Sequence, residues 1–325
     1  MSTAKYVLKR VLFMLLTFLI IISIAFILVR LLPNDPPQQF GKDMQLVLNQ
    51  RFRQGLIDRD GNPIPLLEQY FNFLKKTILG FNWGVSEKLY FGQDCFDIFL
   101  EKLPGTVLVN AYSSLLAVPL GLMFGIYAAL KKNKWQDHVI STGVMVLVSV
   151  PSYVYAFLIQ YFLCFKFRLF PPIMEAGTNY FTWDMFKSMF PPVLALSLSS
   201  IAGYARFTRA ELTEVLTSEY LLLARTKGLT RAQTTVRHAL RNAMVPIFPS
   251  IISEVIAVLG GSLIIESIFV VPGVGALYVD SITRLDYNFF LLLSGFYTII
   301  GLVAGIVVDL SYGFIDPRIR MGSKK

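Results

Sequence analysis

Long apolar runs along this chain are separated by shorter stretches that contain most of the charged residues. A run of roughly 17 to 25 apolar residues can cross a hydrocarbon core of about 30 Å as a helix. The pattern therefore predicts an all-α integral membrane protein with six membrane-spanning helices. The six runs lie at 11–32, 106–130, 139–165, 188–205, 245–265 and 289–308.

The stretch 33–105, between the first two runs, has the pattern of a folded lobe. Its segment "PLLEQYFNFLKKTILG" places apolar residues at helical spacing, with Pro65 at a first helical position and Gly80 at the end. Asp58 and Asp60 nearby suggest calcium ligands, but the glutamate and the spacing of an EF-hand loop are missing. The Asp-Gly and Asn-Pro pairs favour a plain turn there. We expect a small helical lobe outside the membrane.

Basic residues predict the orientation of the spans. Lysine and arginine number three before the first run, three in 131–138, seven in 206–244 and four in the tail. The two short loops on the opposite side contain three and one. Because basic residues accumulate in cytoplasmic loops, both termini are expected in the cytoplasm. The first run lacks a small-residue cleavage site at its end, so it is interpreted as an uncleaved span.

The composition narrows the function classes. Hydrophobic residues make up 54% of the 325 residues and charged residues only 16%, which disfavours a water-soluble enzyme. Cys95 and Cys164 are too few for a disulfide framework, and they lack the spacing of a zinc site. The net charge of +9 is explained by basic loops between spans, so nucleic-acid binding is not expected. No metal site is predicted.

The segment 219–242, "EYLLLARTKGLTRAQTTVRHALRN", is too polar to be a span although it lies between two of them. Thr217 or Ser218 can cap a short helix, and Gly228 can end it in the left-handed conformation. The consecutive apolar residues 221–224 cover most of the circumference of that helix, so it requires an apolar groove. The groove could belong to its own bundle, to the lipid interface or to another protein.

A second helix is predicted to begin at Thr230, where Gln233 completes a capping box. It has a narrow apolar stripe and is otherwise polar, so it can lie on an apolar surface and face water. The stripe consists of Ala232, Val236, Ala239, Leu240 and Ala243.

Small and ionisable residues mark further positions inside the spans. Glycines four residues apart allow close helix packing and occur as two pairs. Pro151 predicts a kink. A carboxylate such as Glu254 is costly in a membrane, so it should face the bundle interior or a water-filled path. The glycine pairs are Gly121 with Gly125 and Gly301 with Gly305.

Three roles are open for Glu254: contact with a substrate in a translocation path, bonding to a polar group on a neighbouring helix, or proton coupling. Glu266 is a second candidate for the path. Because Glu266 and Asp309 lie near span ends, a structural or interfacial role is the default for both.

The segment following 219 also carries a family pattern. Residues 224–229 fit "ARxKGL", and residues 237–243 read "RHALRNA" shortly before Pro246. This pattern resembles the cytoplasmic coupling loop of ABC importer permeases, in particular their peptide-importer branch. The generic signature has Glu-Ala-Ala where this chain has "LLA" at 222–224, a departure usual in that branch. Stretches similar to the family lie at 81–86, 103–110, 266–275, 286–288 and 316–320.

The resemblance implies a type I ABC importer permease fold and a permease subunit that forms half of a peptide path in a prokaryotic plasma membrane. It implies a second homologous permease, two cytoplasmic ATPases and an extracytoplasmic substrate-binding protein as partners, besides the lipid bilayer. ATP and magnesium would be bound by the ATPases, and this chain would hold no cofactor. The implied coupling residues are Glu219, Tyr220, Leu221, Leu222, Leu223, Ala224, Arg225, Lys227, Gly228, Thr230, Arg237 and His238.

The resemblance also implies a division of the chain. Residues 1–32 form the amino-terminal tail and first span, and 33–105 form the extracytoplasmic lobe. Residues 106–312 form the transmembrane domain, with the coupling loop at 206–244, and 313–325 form a cytoplasmic tail.

Other functions remain open at this point. An ion-coupled secondary transporter would use Glu254, Glu266 and Asp309, although the sequence lacks an evident inverted repeat. Importers of the same family for nickel complexes, glutathione or sugars are further alternatives. The sequence contains no G-x-x-x-x-G-K-[ST] motif, so this chain is not itself the ATPase. No set of nucleophile, base and orienting residue indicates an enzyme.

Overall fold

The computed structural model describes residues 3–32, 44–175, 177 and 179–315, and within these residues the regular elements are helical. The family-like stretch at 316–320 and most of the predicted tail lie outside the described residues. The helices are α1 Thr3–Leu31, α2 Met44–Gln54, α3 Leu66–Leu74, α4 Cys95–Leu130, α5 Trp135–Ser149, α6 Ser152–Ile159, α7 Trp183–Leu216, α8 Glu219–Thr226, α9 Arg231–Thr234, α10 Arg241–Ala257, α11 Leu263–Ile268, α12 Val274–Thr283 and α13 Tyr287–Ile315. Wider π-helical turns extend α3 over Lys75–Leu79 and α6 over Gln160–Lys166, and join α9 to α10 over Thr235–Leu240.

In the described part of the chain, five helices are long and apolar enough to cross a membrane, or six if the α5–α6 pair counts as one span. That pair bends by 100°, so the kink predicted at Pro151 is confirmed, and the third span predicted at 139–165 is divided into two helices. The cause is Pro151: the preceding Val150 is extended, because a proline ring disfavours the helical conformation in the residue before it.

The fifth predicted span, 245–265, also differs from the structure. At its start, α9 runs into α10 through the π turns without a break, so no separate amphipathic helix precedes the span. At its end, α10 stops at Ala257, and a turn through Gly261 at φ +66° leads into α11. The span therefore begins inside the segment predicted as a loop and ends before 265.

One compact unit comprises residues 1–104 and 273–302. Its core contains the fully buried Phe26, which stacks on Phe73 of the lobe with ring centroids 5.0 Å apart. The Asp286 carboxylate accepts hydrogen bonds from the Ser86 hydroxyl at 2.6 Å and from the Leu89 backbone at 2.9 Å. The bond from Ser86 joins two of the family-like stretches, 81–86 and 286–288.

Within this unit the lobe is helical as predicted, but its end is not at 105. The Asp94 carboxylate accepts from the Phe96 backbone and starts α4 at Cys95, because Cys95, Ile98 and Phe99 already pack in the core. The turn at Asp58 is confirmed: its carboxylate accepts from the Asp60 and Asn62 backbones at 2.9 and 2.8 Å. The bond from the Asn62 backbone lowers the pKa of the exposed Asp58.

The second unit comprises residues 105–272 together with the chain from 303 onward. Helix α7 lies at its centre and packs against α5, α6 and α10. It also lies close to α4, where a Cβ atom placed on Gly125 would lie 2.6 Å from the Thr208 Cβ. A Cβ on Gly121 would lie 2.5 Å from the Tyr204 Cβ. Glycine at both positions lets the two backbones meet.

The other glycine pair has no such neighbour. Among the described residues, a Cβ on Gly301 or on Gly305 would meet nothing within 4 Å. The prediction that these two residues pack helices together therefore finds no support within the chain, because the face of α13 that carries them is open.

Candidate functional site

Of the three leucines of α8, one packs against the rest of the chain and two are exposed. Leu221 is 1% exposed and packs in a cluster with Ala129, Leu212, Ala239 and Ala243, which we call the Leu221 cluster. Leu222 and Leu223 are 64% and 56% exposed. The chain itself supplies the groove for Leu221 only, and the next two leucines face outward, where a lipid or protein groove would have to receive them. Ala224 is half-buried.

The ends of α8 are held by the residues around it. Ser218 precedes the helix, but its hydroxyl donates to the Val215 carbonyl at 2.6 Å and does not cap α8. Gly228 follows the helix at φ +90°, the left-handed conformation predicted for it. Its N–H donates to the Arg225 carbonyl at 3.0 Å. The Tyr220 hydroxyl accepts from the Asn242 amide at 2.8 Å, which ties α8 to the start of α10.

From the resemblance to importer permeases, replacing Gly228 with proline is expected to abolish assembly with ATPases, or transport, while the spans stay inserted. Proline fixes φ near −65°, whereas the native φ is +90°, so the turn between α8 and α9 must rearrange. Co-purification of the ATPases and peptide uptake measure the effect. Gly228→Asn is the control, since asparagine tolerates positive φ and should retain most activity. Normal uptake by the proline variant would refute a docking role for this turn.

The capping box at Thr230 is confirmed. The Thr230 hydroxyl accepts from the Gln233 backbone at 3.3 Å, and the Gln233 side chain accepts from the Thr230 backbone at 3.1 Å. The apolar stripe predicted beyond it is only partly right, because Val236 is 62% exposed and Ala232 is also exposed. The π turns shift the register after Thr235, so Thr234 and Thr235 are buried together with Ala239 and Ala243.

Exposed charged residues accompany the exposed leucine pair, some on α8 or directly after it and others on the π turns between α9 and α10. We call these mainly basic residues the rim. Such a pattern is typical of a protein interface, where the apolar centre supplies affinity and the charged rim selects the partner. The rim residues are Glu219, Arg225, Lys227, Arg237 and His238.

A metal site needs several His, Cys, Asp or Glu side chains close together. Over the ranges that the structure describes, no group of three or more His, Cys, Asp and Glu side chains could hold a metal ion.

Glu254 lies on α10, half-buried, where α4 and α7 face it. One carboxylate oxygen accepts from the Ser200 hydroxyl at 3.0 Å and from the Ser114 hydroxyl at 3.4 Å. Both serines belong to the same unit as Glu254. Polar bonding between helices is therefore present, and the partial exposure leaves the second oxygen available to a path.

Replacing Glu254 with glutamine is expected to reduce transport and to leave stability unchanged. Glutamine keeps an acceptor for the two serine hydroxyls and removes the negative charge. Uptake by proteoliposomes and thermal unfolding in detergent measure the two effects, with Ser200→Ala as the control that removes one hydrogen bond and keeps the charge. Unchanged uptake would show that Glu254 has a packing role and does not contribute to transport.

Glu266 is fully buried, which agrees with the structural role that its place near a span end favours and gives no support to contact with a path. Its carboxylate accepts from the Thr106 hydroxyl at 3.1 Å and from the Ser262 backbone at 3.1 Å. These bonds close the start of α11 and attach it to α4. The sequence shows that Glu266 lies near the end of a span, but the burial of its side chain depends on the turn at Gly261.

An ion pair between α5 and α7 was not predicted. Asp137 is buried and takes two hydrogen bonds from the Arg209 guanidinium, one of them 2.8 Å from Nη2 to Oδ2. The Asn133 backbone and the Ser141 hydroxyl also donate to Asp137. The two ion-pair partners are 72 positions apart, so no spacing pattern marked them.

Known proteins resemble the chain over most of its length. Residues 121–321 match the family described as "Binding-protein-dependent transport system inner membrane component". The dipeptide transport system permease protein DppB of Bacillus subtilis is 32% identical over 99% of both chains. The oligopeptide transport system permease protein OppB of Salmonella typhimurium is 32% identical over 97% of this chain and 99% of its own. A crystal structure of an amino acid ABC transporter with histidines has a TM-score of 0.49 and 22% identity, covering 66% of this chain and 92% of that one.

Proposed function

Because the chain belongs to the family of binding-protein-dependent transport system inner membrane components, we propose that it is the permease subunit of an ATP-driven peptide importer. Its relatives from Bacillus subtilis and Salmonella typhimurium are dipeptide and oligopeptide permeases at 32% identity over nearly the full length. The single observation that carries the coupling part of the proposal is the exposed pair Leu222 and Leu223 on α8. Two adjacent leucines that face water do not stabilise the chain by itself. Their burial in a groove of a partner protein would stabilise the complex by roughly 1.5–3 kcal/mol for each side chain.

The groove is proposed to lie on a cytoplasmic ATPase. The chain contains no phosphate-binding loop, so ATP and magnesium are bound by the partner subunits. The basic rim of Arg225, Lys227 and Arg237 then selects the ATPase surface through its charge more than it adds affinity.

Movement of α8 would reach the membrane through the Leu221 cluster. The cluster joins α8 to the end of α4 at Ala129, to α7 at Leu212 and to the start of the fifth span at Ala239 and Ala243. Because buried side chains are close-packed, a displaced α8 moves these three helices together with it. ATP binding and hydrolysis in the partner would thereby change the translocation path.

The proposed assembly contains a second homologous permease, two ATPases and an extracytoplasmic binding protein that delivers the peptide. The chain is a multi-pass protein of a prokaryotic plasma membrane, and its basic loops favour cytoplasmic termini and a lobe on the outer face. In this orientation α8 and α9 lie on the ATPase side, and α2 and α3 lie on the side of the binding protein.

Reconstitution tests the function directly. Proteoliposomes that contain this chain, its sister permease and the ATPases should take up a labelled peptide only with ATP inside and binding protein outside. The chain reconstituted alone should be inactive under a proton or sodium gradient. Gradient-driven uptake by the chain alone would establish the ion-coupled alternative and overturn the proposal.

A further inference from the structure

A polar pocket of about 360 Å³ opens in the unit formed by residues 1–104 and 273–302. Its wall is built from the end of α1, from α2, from the π turns that extend α3 and from the turn that follows them. Ligand pockets usually measure roughly 300–1,000 Å³, so this volume suits a small molecule. The exposed Arg53 and Asn82 lie at its mouth, and the buried Trp83 lies deeper.

Unpartnered polar atoms converge on this pocket. Among the described residues, the Arg30 Nε, the Trp83 indole nitrogen, the Gln50 Oε1 and both polar atoms of the Gln54 amide are buried without a hydrogen-bond partner. All four residues line the pocket. Buried polar groups without partners destabilise a fold, and such a concentration at one cavity indicates a ligand that satisfies them. The set includes donors and acceptors.

The pocket is also positively charged. Among the residues that the structure describes, its lining contains Arg30, Arg53 and Lys76 and no acidic side chain. Lys76 donates to the Arg53 backbone carbonyl, which holds the ammonium group at this wall. The negative charge of Glu87 attracts Arg30, but Glu87 also forms an ion pair with Arg51 at 3.6 Å. One carboxylate shared in this way does not neutralise the three cations of the lining.

We propose that this pocket binds a short peptide by its terminal carboxylate. The carboxylate would accept charge-assisted bonds from the lining cations, of which the guanidinium of Arg53 stands at the mouth. Peptide C=O groups would accept from the Trp83 and Gln54 N–H groups, and peptide N–H groups would donate to the Gln50 and Gln54 oxygens. An anion without an O–H or N–H group, such as sulfate or chloride, only accepts and would leave both glutamine oxygens unpaired. The choice of a peptide among amide-bearing carboxylates rests on the proposed function.

Fluorescence of Trp83 provides the measurement. The chain has three tryptophans, so replacing Trp135 and Trp183 with phenylalanine leaves Trp83 as its own reporter, and the same complex with Trp83→Phe gives the background of the other proteins. The full chain with its sister permease and ATPases in nanodiscs, without binding protein, is titrated with trialanine that has a free or an amidated carboxyl end. We expect saturable binding of the free acid and at least tenfold weaker binding of the amide.

Two variants separate the roles of charge and amide. Arg53→Gln should weaken binding of the free acid about tenfold and leave the amide unaffected. Gln54→Leu should weaken both peptides, while thermal stability stays the same or rises, because two unpaired buried atoms are removed. Gln93→Leu, at an exposed residue outside the lining, is the control and should bind like the parent.

Three results would overturn the proposal. Equal binding of the free and amidated peptides excludes carboxylate recognition, and acetate that competes as well as trialanine indicates a simple anion site. A response that depends on phosphatidylglycerol in place of phosphatidylcholine in the nanodisc indicates a lipid headgroup. If ATP drives peptide uptake but trialanine does not change the Trp83 fluorescence, the proposed peptide site alone is overturned. If trialanine binds but ATP does not drive uptake, the importer function alone is overturned.

Discussion

Replacement of both Leu222 and Leu223 with serine is expected to abolish ATP-driven peptide uptake while the chain still folds and inserts. Both side chains are more than half exposed, so their loss costs the isolated chain little. In the complex, the loss of two leucines from an interface centre removes about 3–6 kcal/mol, enough to weaken ATPase binding by more than a hundredfold. Co-purification of the ATPases and uptake by proteoliposomes measure the effect.

Two controls identify the cause. Leu67→Ser, at an equally exposed leucine of the lobe, should leave uptake unchanged. Leu221→Ala should lower thermal stability by about 2–5 kcal/mol, because it opens a cavity in the Leu221 cluster. Full ATPase binding by the double serine variant would show that α8 does not dock through these leucines.

Replacement of Gly125 with leucine is expected to separate α4 from α7 and to destabilise the second unit by about 3 kcal/mol or more. A Cβ at this position would lie 2.6 Å from the Thr208 Cβ and 2.7 Å from the Ala205 carbonyl oxygen, and the latter belongs to backbone that cannot rotate away. Overpacking of this kind costs roughly 1–3 kcal/mol even where side chains can adjust. Thermal unfolding and the yield of folded protein in detergent measure the loss.

Gly143 offers a matched control, because it is also helical and lies in the same unit, but a Cβ there would meet nothing within 4 Å. Gly143→Leu should therefore be tolerated or slightly stabilising, since leucine favours a helix over glycine. Equal destabilisation by the two substitutions would mean that side-chain volume in the membrane, not the contact between α4 and α7, determines the effect.

Local signals in the sequence account for the parts of the fold that were predicted correctly. The Thr230 capping box and the left-handed Gly228 are set by residues at most three positions apart, and both are present. The long apolar runs likewise require helices in a membrane, because their backbone groups have no other partner there. Such features depend on nearby residues alone, so a single sequence contains them.

Features that depend on distant residues could not be predicted. The burial of Leu221 but not Leu222 is decided by helices that bring Ala129 and Leu212 to it. The exposure of Val236 depends on π turns that change the helical period from 3.6 residues, on which the stripe was based. The hydrogen bond from the Thr106 hydroxyl to Glu266 joins residues 160 positions apart, so no local pattern in the sequence indicates it.

The ion pair between Asp137 of α5 and Arg209 of α7 couples the movement of these two helices. Residues Val193 to Leu216 form an uninterrupted arm of 24 residues, about 36 Å long at 1.5 Å per residue. At the Val193 end of this arm, Pro191 and Pro192 lack the N–H groups that would stiffen the helix. A push of α8 at the Leu216 end would therefore bend the helix at the prolines, and the ion pair would carry α5 along with the arm.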